Sequence, residues 1–68
     1  MKAIKIKRCS DQMFWYRDLV GTVVPFLRDA SDFYMAREPA GYSNIVRKTD
    51  GEIVEVEKGT EFYVHQAN

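Results

Sequence analysis

The side chains best suited to chemistry in this 68-residue chain are few: one histidine, His65, one cysteine, Cys9, and carboxylates at Glu52, Glu55 and Glu57. A catalytic histidine needs a second group held beside it, and His65 stands within the last four residues, where geometry is hard to fix. Cys9 follows Lys7 and Arg8, a cationic setting that can lower a thiol's pKa and make it nucleophilic. One cysteine closes no intramolecular disulfide and supplies no thiolate zinc site, and a buried or idle Cys9 is expected. Glu55 and Glu57 recur at the period of two that any wet strand face shows, rather than as a metal-binding or glycosidase-type pair. Gly21, Gly41, Gly51 and Gly59 are too far apart for a phosphate-cradling loop, and no nucleophile-elbow motif occurs. A non-enzymatic protein with no cofactor and no metal is expected.

The aromatic run Phe14-Trp15-Tyr16 carries more information. In any local conformation these three rings cannot all enter one small core, so some aromatic surface is exposed or covered by a partner. Flat rings beside Pro and Gly corners are what peptide-binding barrels use, because a ring gives much contact area at little entropic cost. Phe14, Trp15, Tyr16 and Tyr42, the last just beyond Pro39-Ala40-Gly41, are therefore the candidate protein-binding residues.

The charges sum to zero but divide unevenly. Residues 1–28 hold six basic and two acidic groups and residues 29–68 four and eight, so the halves carry +4 and −4. Lys5, Lys7, Arg8 and Arg17, with Trp15 nearby, form the alternative candidate site: a basic face that tracks single-stranded nucleic acid by phosphate contacts and stacking. The opposed halves could also meet across a two-fold or head-to-tail contact and make a homo-oligomer.

The elements that must position these residues read as short strands. Ala3 to Arg8 alternates, with Ile4 and Ile6 facing one way and Lys5 and Lys7 the other. Leu19 to Leu27 is apolar and β-branched, but Pro25 donates nothing to a ladder, which makes this strand an edge or bulged there. After a turn at Arg28 to Ser31, Phe33–Arg37 and Tyr42–Val46 flank Glu38-Pro39-Ala40-Gly41, a hairpin signal. Thr49-Asp50-Gly51 separates that hairpin from Ile53–Val56, and Gly59 marks a turn into Phe62–Val64. The expected core is Ile4, Ile6, Val23, one of Phe33 and Tyr34, Met35, Ile45, Val54, Val56 and Phe62. Ser10 to Gly21 supports two readings, a long loop or a short helix capped by Ser10.

Five or six short antiparallel strands with Gly or Pro at most corners argue for an all-β barrel or sandwich in one domain spanning residues 1–68. At this length only roughly 60% of the unfolded surface is buried, so stability is marginal. No apolar run approaches the roughly 18 residues of a membrane span, and the N-terminus alternates where a signal peptide would be unbroken. A cytoplasmic protein that contacts no membrane is expected, with His65 to Asn68 free to fray.

Trp15-Tyr16, then Asp18-Leu19-Val20-Gly21 and a β run, after the Lys-rich first strand and Cys9-Ser10-Asp11, resembles a motif of small phage and prophage proteins: WY-x-D-hydrophobic-hydrophobic-G. The resemblance spans residues 2–57 and includes the turn Arg47-Lys48-Thr49-Asp50. It implies an SH3-like barrel and an accessory protein in the host-cell cytoplasm. It implies no particular activity.

Overall fold

The structure is a computed structural model and describes residues 1–65. Of the segment His65 to Asn68 expected to fray, all but His65 lies outside the described residues. Five strands form: β1 (Lys2–Ile6), β2 (Val23–Asp29), β3 (Phe33–Arg37), β4 (Ser43–Arg47) and β5 (Gly51–Glu55). All neighbours are antiparallel, in the order β4-β3-β2-β1-β5. The first half of β2 pairs with β1 and the second half with β3, with a register shift between Phe26 and Arg28. A strand shared in this way bends from one ladder into the other and curls the sheet. The fold is a small all-β, SH3-like barrel whose seam lies between β4 and β5.

Pro25 stays in register opposite Ala3 and the irregularity falls beyond it, between Phe26 and Arg28, while β2 is central, so Pro25 marks neither an edge strand nor the bulge itself. Ile6 and Thr22 are hydrogen-bonded (2.9 Å), so alternation along the ladder turns Pro25, opposite Ala3, away from β1 and toward β3. One residue beyond the Phe26–Ala36 pair, the Arg37 carbonyl has no proline N–H to accept and takes the Tyr63 hydroxyl instead, at 2.7 Å. The Tyr63 N–H donates to Val23 O at 2.9 Å. Phe62–Val64 is therefore not a sixth strand; it is a strap along β2, turned at Tyr63 by a left-handed φ of 65°.

The fully buried apolar residues are Ala3, Ile4, Ile6, Tyr16, Val24, Ala36 and Val46. Ile4 and Ile6 lie where the alternation puts them. Elsewhere the buried face is offset by one residue from expectation: Val24 replaces Val23, and Ala36 and Val46 replace Met35 and Ile45. Ile53, not Val54, packs on the core, and Tyr34 rather than Phe33 does so, edge-on to Phe26. Runs such as Phe33-Tyr34-Met35-Ala36 are apolar at both parities, and a shift of one exchanges the two faces.

Candidate functional site

Ser10 to Gly21 folds as a succession of tight turns and not as a helix. The Asp11 side chain accepts the Met13 N–H at 2.9 Å, an Asx turn that competes with helical bonding. Three-residue closures follow from Phe14 to Asp11, Arg17 to Phe14 and Leu19 to Tyr16. The loop then rejoins the barrel where the Gly21 N–H donates to Ile6 O at 2.8 Å.

These turns drive Tyr16 inward. Its side chain is fully buried, and its hydroxyl donates to Asp50 Oδ2 at 2.6 Å. Ser10 gives the same oxygen its hydroxyl at 2.8 Å and its N–H at 3.2 Å. Asp50 Oδ1 has no hydrogen-bond donor among the described residues and faces the Arg8 guanidinium at 3.6 Å. Burial pushes the Asp50 carboxyl up, but the donors from Tyr16 and Ser10 and the Arg8 charge outweigh it and hold it below the ordinary range. Burial and the bond to Asp50 push the Tyr16 phenol well above its usual value.

The aromatic run also closes the seam. Val46 and Asn44 pair toward β3, so the backbone groups of Ile45 and Arg47 point out of the open edge of β4. There the Trp15 indole donates to Ile45 O at 2.7 Å, and the Arg47 N–H donates to the Tyr16 hydroxyl at 3.3 Å. The Asn44 side chain takes the Ile45 N–H at 2.8 Å. Phe14 stacks on Tyr16 with centroids 5.4 Å apart and lies under the Arg47 guanidinium at 4.9 Å. An edge that would otherwise template another chain is thus occupied by side chains.

Of the four candidate protein-binding residues, Tyr16 is therefore withdrawn: it is a core residue with its polar tip bonded. Phe14 and Trp15 are half-buried, each with one face on the barrel, and Tyr42 is 71% exposed. The structure adds Met13, 85% exposed, which the sequence did not single out. Along β4, Phe14 stands by Arg47, Trp15 by Ile45, and Tyr42 just before Ser43, with Met13 adjoining Phe14 in sequence. They make one band along the β4 edge.

The basic candidates are interleaved with carboxylates. The β1–β5 register sets Lys2 opposite Glu55 and Lys5 opposite Glu52. Lys7 lies 3.8 Å from Glu52, Arg8 is held by Asp50, and Arg17 lies 3.8 Å from Asp18. The division of charge along the sequence is thus largely cancelled in space, because acidic β5 lies beside basic β1. Cys9 is half-buried, its thiol donating to Asp11 O at 3.0 Å, and the cations near it in sequence are turned to Glu52 and Asp50. His65 is exposed.

Asp50 was not singled out by sequence reasoning, since Asp before Gly is ordinary turn composition. Its burial appears only once the turn is folded against Ser10 and Tyr16. Among the described residues there is no pocket and no cluster of three or more metal-ligating side chains, and no helix is long and apolar enough to cross a membrane. Comparison of the chain with protein-family models, curated proteins and solved structures gives no match.

Proposed function

We propose that this protein is a small, non-enzymatic protein-binding module that contacts its partner through Met13, Phe14, Trp15 and Tyr42. The observation that carries the proposal is the band along β4, in which Met13 and Tyr42 are 85% and 71% exposed beside two rings fixed by the barrel. Rings anchored on one face present the other without further loss of freedom, which is how aromatic contact residues gain affinity. Together with the resemblance in Trp15 to Gly21, this supports a cytoplasmic accessory protein of a phage or prophage. A nucleic-acid interface is the weaker reading, because Lys7, Arg8 and Arg17 already have acidic partners.

The test is capture of interacting proteins from host cytoplasm with wild type and with the double variant Met13→Ala/Tyr42→Ala. Both side chains are solvent-facing, so the variant is expected to keep its fold. It is expected to lose specific partners, with affinity falling on the order of tenfold or more. An unchanged partner set would refute the contact surface, and a salt-dependent shift of a labelled oligonucleotide at low salt would favour the basic face instead.

A further inference from the structure

The outer face of β2, β3 and β4 carries cations without counter-ions. Ala36 and Val46 are fully buried, so alternation turns Met35, Arg37, Ile45 and Arg47 outward. Cross-strand pairing sets Ile45 on one side of Met35 and Arg28 on the other, all on this face. Arg37 stands two residues from Met35 and Arg47 two from Ile45, so three exposed arginines surround a half-buried apolar pair. The outward positions of β3 and β4 include no carboxylate. The carboxylates that follow the arginines in sequence are engaged elsewhere: Asp29 by Lys48 Nζ at 2.8 Å, Glu38 by the Asn44 amide at 2.8 Å, and Asp50 by Tyr16 and Ser10. Lys7, Arg8, Arg17 and Lys48 each have an acidic partner, whereas among the described residues Arg28, Arg37 and Arg47 make no salt bridge. Arg37 donates only to the Gly41 carbonyl, at 2.7 Å.

We infer that this face receives an acidic segment of a partner protein, with carboxylates on Arg28, Arg37 and Arg47 and apolar side chains on Met35 and Ile45 between them. The planar fork of a guanidinium matches a carboxylate with two parallel hydrogen bonds, and arginine gives up its water more readily than lysine does. The face joins the aromatic band at β4, where Arg47 lies 4.9 Å over Phe14 and the Trp15 indole donates to Ile45 O. The inference therefore rests on the proposed function, whose partner it characterises. That partner is held by side chains and not as an added strand, because Trp15, Tyr16 and Asn44 already occupy the outward backbone groups of β4. A peptide fits this face better than a nucleic-acid strand does. Met35 and Ile45 offer bases no ring to stack on, and one face of Phe14 is already taken by Arg47.

The test is selection of a displayed random-peptide library on the intact, immobilised chain, followed by titration of labelled synthetic copies of the selected peptides. Selected peptides are expected to combine Asp or Glu with large apolar residues and to bind more weakly as salt rises. The triple variant Arg28→Gln/Arg37→Gln/Arg47→Gln is expected to raise their Kd at least about tenfold, and so is Met13→Ala/Tyr42→Ala. Peptides without acidic enrichment, or indifferent to the arginine variant, would overturn the inference; if Met13→Ala/Tyr42→Ala still released them, the aromatic contact surface would stand without it. Acidic peptides lost with the arginine variant alone would uphold the acidic partner and refute the aromatic contact. An empty selection would overturn the inference, and so would labelled oligothymidine that binds more tightly than any peptide and is lost in the arginine variant. Should the triple variant fail to fold, the exposed single change Arg28→Gln decides, through an expected rise in Kd of about threefold.

Discussion

Asp50 ties together stretches of chain far apart in sequence: Ser10 and Tyr16 donate to one of its oxygens, and Arg8 faces the other. A buried carboxylate is retained only when such partners replace water. Because its folded pKa lies below the unfolded value, the clasp contributes stability that is complete above the usual carboxylate pKa and is lost as pH falls through the folded one. Tyr16 acts at the other extreme. Its folded pKa is raised, so stability is complete below about 10 and declines at higher pH, where the unfolded phenol ionises and the folded one resists. Denaturant midpoints measured across pH are expected to fall at both ends, and Asp50→Asn is expected to flatten the acid limb relative to wild type. An acid limb unchanged in Asp50→Asn would assign it to other carboxylates. Tyr16→Phe, which leaves the ring in place but withdraws its hydroxyl from Asp50 and Arg47, is expected to destabilise by roughly 1–3 kcal/mol in the same assay.

At the scale of elements, Gly51 shows what lets β5 lie against the barrel. A Cβ there would come within 2.6 Å of Ile4 Cγ2 and 2.9 Å of Val46 Cγ1, both in the buried core. Gly51→Ala is therefore expected to lower stability by about 1–3 kcal/mol, measured as a reduced denaturant midpoint, because neither neighbour can withdraw without repacking. The strands were legible where the residues carry an unambiguous period or corner: β1 from its Ile and Lys alternation, β3 and β4 from the Pro39 to Gly41 corner. The core face was not legible where neighbouring residues are all apolar, as in Phe33 to Ala36, since either parity satisfies burial. The aromatic run was recognised as exceptional, yet its larger use is internal. Nothing local in Phe14-Trp15-Tyr16 records that Ile45, Arg47 and Asp50, some thirty residues on, would need covering. The exposure of Met13 follows from the Asx turn at Asp11 and was equally hidden.

At the scale of the whole molecule, a short chain with a thin core gains a wall by folding its longest connection over the seam between β4 and β5. Its opposite charges meet along β1 and β5 instead of forming two poles. The loop is then part of the cooperative unit, and only its outer rim, with Met13 and the free faces of Phe14 and Trp15, is left for contact. Native-state amide hydrogen exchange tests this most directly. The Leu19 amide bonded to Tyr16 O, the Gly21 amide bonded to Ile6 O and the Arg47 amide bonded to the Tyr16 hydroxyl are expected to open with the same free energy as the Ile6 amide in β1. Exchange of Leu19, Gly21 and Arg47 through a separate low-energy opening, while Ile6 stays protected, would contradict the account and return the aromatic segment to the status of a surface loop.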